Sequence, residues 1–208
     1  MRVKENAVAL VHRAATAPSQ AHRLSPGDAV LMSSVTDPYQ PLERHLELTR
    51  SILEALVEIQ PRLTIQTRSP IVTRDIDVLS RFERVRVNLS VPTDSEDVRL
   101  RYEPHAPAIE ARLRTAETLA RAGFFVTLCI APMLPIREPE AFGVRLAATG
   151  AKSFVTQYFR QAKVRFASST PDPVLGRLAE DRWSRRAYDA ARGRIQAGLG
   201  DELALREW

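Results

Sequence analysis

Apolar runs of strand length alternate along the chain with segments whose apolar residues recur at helical spacing. The runs DAVLMSS, LTIQT, VRVNLSV, FFVTLCIA and SFVTQYF begin near residues 28, 63, 85, 124 and 153. Between them, apolar residues three and four positions apart predict helices with one buried face. The strand starts lie about 22 to 39 residues apart, the length of one strand–helix unit. The pattern predicts an α/β protein with a parallel sheet that curls into an open barrel or winds as a doubly wound layer.

Polar side chains follow the predicted strands at their carboxyl ends, where α/β folds place their ligand sites. They include Ser34, Asp37, Tyr39, Arg68, Asn88 and Ser90. A guanidinium directly after a buried strand, as at Arg68, is suited to bind a carboxylate or a phosphate. The sequence therefore predicts a binding rim along one edge of the sheet.

Composition limits what this rim can belong to. The 208 residues, 44% of them hydrophobic, are enough for one domain with a sizeable core. The net charge of +5 permits phosphate-rich partners without demonstrating one. Cys129 is the single cysteine, so no disulfide framework is expected. No apolar run approaches a membrane span and the first residues lack the apolar core of a signal peptide, so we expect no membrane partner and a cytoplasmic protein.

Several short motifs, in order, resemble one protein group. They are TDPYQPLE (36–43), QTRS (66–69), VNLSVPT (87–93), YEPHAP (102–107) and IAPMLP (130–135). Together they resemble the spore photoproduct lyase-like, DNA repair photolyase-like group of radical SAM proteins. The resemblance implies a partial (β/α)6 TIM-type barrel that lacks its first strand, formed by residues 1–160, with a C-terminal basic helical extension at 161–208.

The resemblance also implies cofactors and a partner. Proteins of this group bind S-adenosylmethionine (SAM) beside a [4Fe-4S] cluster and use a 5′-deoxyadenosyl radical, and the spore enzymes act on DNA. By position, Arg68 would pair with the carboxylate of SAM and Ser90 would contact its ribose or amino-acid part. Glu103 and Arg112 would complete the cofactor rim. Substrate-pocket residues would be Asp37, Tyr39, Ser34 and Asn88.

Simpler interpretations of these residues remain open. Asp37, before a proline, would only shape an Asx-type turn, and the tyrosine two residues later would only pack. Arg68 would be a surface partner of Asp75 or Asp77. Arg112 would be a solvated helix charge. The arginines between residues 177 and 194 predict an amphipathic basic helix that faces either DNA phosphates or solvent.

The sequence departs from the group in one respect. The group holds its cluster with three cysteines in a CxxxCxxC motif, which is absent here, so radical chemistry is not expected of this polypeptide alone. Three explanations stay open: a fragment of a longer radical SAM enzyme, a cluster-less protein that binds an adenosyl ligand or nucleic acid, or a barrel remnant used for protein contacts. The missing strand would leave an unpaired edge beside DAVLMSS, which predicts self-association.

Overall fold

A single parallel sheet organises the protein. The computed structural model describes residues 6–19, 23–32, 36–159 and 172–207. The strands are β1 (Ala29–Met32), β2 (Arg62–Thr67), β3 (Val85–Ser90), β4 (Phe125–Ile130), β5 (Ser153–Thr156) and β6 (Leu205–Glu207). Each strand pairs in parallel with the next in chain order, and β1 does not pair with β6. The sheet is therefore open, which confirms the predicted α/β, partial-barrel fold.

Helices connect successive strands, as parallel pairing requires. The connecting helices are α2 (Glu43–Leu46), α3 (Leu48–Val57), a 3-10 helix (Pro70–Asp75), α4 (Ile76–Leu79), α5 (Glu96–Tyr102), α6 (Ile109–Arg121), α7 (Pro139–Ala147), α8 (Asp172–Glu180) and α9 (Arg185–Leu199), while α1 (Ala7–Ala15) precedes β1. Ser95 and Ser184 cap α5 and α9 by accepting backbone N–H groups. No helix in the described ranges is long and apolar enough to cross a membrane.

The two faces of the sheet differ because side chains alternate along a strand. Toward the helices, residues such as Ile65, Val87 and Leu128 are fully buried and form the hydrophobic core. On the opposite, inner face, the register places Asn88 beside Thr127 on the neighbouring strand. Polar side chains therefore continue from the rim down the inner face.

The carboxyl-terminal part contains more of the sheet than the sequence predicts. The apolar runs predict five strands, whereas the described residues form six, because β6 pairs with β5. The predicted single basic helix is two helices, α8 and α9. The last helix packs closely on α7: a Cβ atom built on Gly143 would lie 2.2 Å from the carbonyl oxygen of Ile195. The predicted domain boundary near residue 160 falls outside the described residues and stays a prediction.

Candidate functional site

Three charged residues from different elements meet at the carboxyl edge of the sheet. Arg68 directly follows β2, Glu103 follows α5, and Arg112 lies on α6. Glu103 accepts hydrogen bonds from both arginines, at 2.5 Å from Arg68 Nη1 and at 2.9 Å from Arg112 Nη2. The cluster carries two positive charges and one negative charge, so its remaining charge favours an anionic ligand.

Arg112 is the buried support of this cluster. Its side chain is 0% exposed. The guanidinium donates to the carbonyl oxygens of Pro107, at 2.9 Å, and Ser90, at 3.2 Å, in addition to Glu103. Burial lowers the pKa of the guanidinium, and the charge of Glu103 opposes this effect. The interpretation of Arg112 as a solvated helix charge is therefore wrong, because its donors tie α6 to the end of β3.

Arg68, in contrast, reaches solvent. Its side chain is 45% exposed, and in the described part of the chain only Nη1 has a hydrogen-bond partner. Its Nε and Nη2 groups remain available, side by side, which is the arrangement that binds a carboxylate through two hydrogen bonds. The alternative pairing with Asp75 or Asp77 is wrong, since Arg50 binds both carboxylates at 3.2 and 2.5 Å.

Two polar atoms on the inner face lack a hydrogen-bond partner among the described residues. Asn88 and Thr127 are 8% and 4% exposed, and their Oδ1 and Oγ1 atoms are buried and unpaired. One layer nearer the rim, Ser90 lies beside Cys129 in the register of the same two strands. Because buried polar atoms are nearly always paired, these two atoms indicate a position where a ligand or a water molecule binds.

Asp37 fixes the loop between β1 and α2 to the end of β2. Its Oδ1 atom accepts the N–H of Tyr39 at 2.9 Å, which confirms the Asx-type turn. The same carboxylate accepts the hydroxyl of Thr67 at 2.7 Å and the backbone N–H of Arg68 at 2.9 Å. Asp37 therefore holds the backbone of Arg68 in place, a role that its position before a proline does not reveal.

Tyr39 lies in the hydrophobic core and is 1% exposed, as the packing alternative predicts. Burial is the main cause of its raised pKa, followed by the charge of Asp75.

The buried charges beneath this loop were not predicted from the sequence. Asp75 is 0% exposed and pairs with Arg74, which also donates to the carbonyl oxygen of Glu43 at 2.8 Å. The consecutive charges RDID in an otherwise apolar helical segment are the signal. Ser34 lies outside the described residues.

The residues present do not fit an iron–sulfur cluster. Among the described residues, no group of three His, Cys, Asp or Glu side chains could hold a metal ion. Cys129, the single cysteine of the chain, is 1% exposed, and burial raises the pKa of its thiol to about 12. A [4Fe-4S] cluster needs three or four thiolates, which one protonated, buried thiol does not supply.

Sequence comparisons find relatives that match about half of this chain. No family model matches the chain. An uncharacterized protein of Methanocaldococcus jannaschii is 33% identical over 106 residues, which cover 51% of this chain and 40% of that relative. The chain thus matches well under half the length of this curated relative.

Solved structures with similar folds are radical SAM enzymes. SuiB of Streptococcus suis, bound to S-adenosylmethionine, matches with a TM-score of 0.55 and 15% identity over 98% of this chain and 43% of SuiB. Spore photoproduct lyase matches with a TM-score of 0.58 and 15% identity over 97% of this chain and 66% of the lyase. Another structure of the lyase holds a dinucleoside spore photoproduct. The chain therefore has a radical SAM-like fold, which confirms the resemblance at the level of the fold.

Proposed function

We propose that the rim and inner face of this radical SAM-like sheet bind S-adenosylmethionine. In this proposal the carboxylate of the ligand binds Arg68 through Nε and Nη2, while Glu103 and Arg112 hold the guanidinium in position. Ser90 contacts the ribose or the amino-acid part. Asp37 contributes indirectly, through the backbone of Arg68.

The observation that carries the proposal is the pair of unpaired polar atoms below the rim. Asn88 Oδ1 can only accept a hydrogen bond, and Thr127 Oγ1 can donate or accept. A ligand rich in hydroxyl and amino groups, such as an adenosyl compound, would satisfy both atoms. Without a ligand, each atom must be paired by a water molecule or remain unpaired at a cost of about 1 to 3 kcal/mol.

The wider activity is a proposal about a larger assembly. In radical SAM enzymes, SAM bound to a reduced cluster supplies a 5′-deoxyadenosyl radical. This chain does not supply the thiolates for a cluster, so we assign it ligand binding and no radical step. Radical chemistry on DNA would require cluster thiolates supplied by residues other than these 208. The support for such chemistry is the fold that this chain shares with spore photoproduct lyase.

Isothermal titration calorimetry with two ligands tests the binding. SAM should bind saturably, whereas 5′-methylthioadenosine, which lacks the amino-acid part and its carboxylate, should bind at least about tenfold more weakly. The Arg68→Gln variant should remove this difference between the two ligands, because it removes the partner of the carboxylate. Lys152→Gln is the matched control, since it removes one positive charge at the opposite, amino-terminal end of β5. Equal affinity for both ligands in the unmodified protein would contradict the assigned role of Arg68.

A further inference from the structure

The loop between α5 and α6 determines where Glu103 lies. It spans residues 103–108, with the sequence EPHAPA, and none of these residues is buried. Packing in the hydrophobic core therefore does not hold the loop, so hydrogen bonds must set its position. Near the start of α6, Arg112 supplies one of them, to the carbonyl oxygen of Pro107. The beginning of the loop, which carries the carboxylate of the rim, is held from α5 instead.

Arg99 on α5 binds the carbonyl groups at the beginning of this loop. Its side chain is 10% exposed, and Nη1 donates to the carbonyl oxygen of Ala106 at 2.9 Å. The same nitrogen lies 3.4 Å from the carbonyl oxygens of Glu103 and Pro104, which are longer and weaker contacts. The carbonyl oxygen of Arg99 also accepts the backbone N–H of Glu103 at 2.6 Å. Arg99 thus holds the loop through both its side chain and its main chain.

Glu96, in the first turn of α5, ties Arg99 to the start of α6. Its Oε2 atom accepts Nε of Arg99 at 2.5 Å, and its Oε1 atom accepts the backbone N–H of Ile109 at 2.5 Å. Burial alone would raise the pKa of Glu96, but the hydrogen bonds from Arg99 and Ile109 outweigh burial and lower it. Glu96 therefore stays ionised at neutral pH. Together, Glu96 and Arg99 form a clamp that holds both ends of the loop against α5.

We propose that Glu96 and Arg99 are positioning residues for recognition of the SAM carboxylate, a role that rests on the proposed function. The clamp fixes the backbone of Glu103, and the carboxylate of Glu103 in turn fixes the guanidinium of Arg68. Arg68 then presents Nε and Nη2 in one orientation, which two parallel hydrogen bonds to a carboxylate require. Without the clamp, binding would have to order this half-exposed side chain as well, at a cost in conformational entropy.

The preference for SAM over 5′-methylthioadenosine isolates this role, because only SAM carries the carboxylate. In Arg99→Met, isothermal titration calorimetry should show SAM bound about fivefold more weakly and 5′-methylthioadenosine bound within about twofold of normal. Arg101→Met is the matched control on the same helix, because Arg101 is exposed and pairs with Glu180 and Asp181. The control should keep the full preference for SAM.

Two further variants show how Arg99 acts. In the Arg68→Gln background, Arg99→Met should cause no additional loss of SAM affinity, because the guanidinium that the clamp positions is already absent. Arg99→Lys keeps the positive charge but lacks the planar fork of donors, so it should lose the preference for SAM as Arg99→Met does. Hydrogen exchange followed by mass spectrometry reports on the loop without a ligand. The amides of residues 105 and 106 should exchange faster in both variants, while those of β2 stay protected.

Four results would overturn the positioning role while leaving the SAM site in place. They are an undiminished preference for SAM in Arg99→Met and Arg99→Lys, an equal loss of affinity for both ligands, a further loss in the Arg68→Gln background, and unchanged exchange of the loop. Equal affinity for SAM and 5′-methylthioadenosine in the unmodified protein is a different outcome, because it would refute the carboxylate contact of Arg68 and the positioning role with it.

Discussion

Replacing Arg112 by methionine should destabilise the protein strongly. Methionine fills a similar volume but supplies no donors, so the carbonyl groups of Ser90 and Pro107 lose their partners, and Glu103 loses one of two arginines. We take about 1 kcal/mol for each carbonyl hydrogen bond and about 2 kcal/mol for the charged one. Because the arginine is completely buried, the expected loss is about 3 to 4 kcal/mol, within the range for breaking a buried ion pair.

Urea unfolding followed by circular dichroism measures this loss. The midpoint should fall while the slope stays constant, since the surface exposed on unfolding is unchanged. Arg114→Met is the matched control on the same helix: Arg114 is exposed, and its replacement should change the free energy of unfolding by less than about 0.5 kcal/mol. If Arg112→Met costs less than about 1 kcal/mol, the buried cluster is not the support of the rim.

Three further predictions concern packing, the buried thiol and the sheet edge. Gly143→Ala should destabilise the protein by about 3 kcal/mol in the same urea assay, because the new methyl group overlaps backbone atoms of α9. Gly193→Ala is the control: its methyl group has no atom within 4 Å, and the substitution should stabilise α9 by up to about 1 kcal/mol. Burial raises the pKa of the Cys129 thiol from 9.0 to about 12, so the thiol should resist alkylation until the protein unfolds. The free energy of unfolding should also fall as the pH rises above 9.0, because the thiol loses its proton in the unfolded protein first. This fall should be less steep in Cys129→Ala. Leu31 is 55% exposed on edge strand β1, and light scattering should show self-association that Leu31→Lys reduces; identical molar masses for both proteins would refute this use of the edge.

The fold was largely predictable because hydrophobic alternation is a local signal. Five strands and the helices between them follow from apolar spacing and strand-length runs. The sixth strand could not be predicted in this way, because its three residues, LRE, contain one apolar side chain and form a strand by pairing with β5. The close packing of α9 on α7 could not be predicted either, because the approach of Gly143 on α7 to Gly198 on α9 leaves no local pattern in the sequence.

The site was predictable in outline but not in its pairing. Position after a buried strand singles out Arg68, while its partner Glu103 lies 35 residues away. The fold brings such distant partners together, whereas proximity along the sequence suggested Asp75 or Asp77 as the ion-pair partner of Arg68. Likewise, nothing local distinguishes the fully buried Arg112 from the exposed Arg114 on the same helix.

A crystal structure of the protein soaked with S-adenosylmethionine tests the central claim most directly. We predict density for the ligand at the carboxyl edge of the sheet, with its carboxylate bound to Arg68 and its polar groups within hydrogen-bonding distance of Asn88 Oδ1 and Thr127 Oγ1. Ligand density elsewhere, or none at saturating concentration with water molecules bonded to both atoms, would contradict the account.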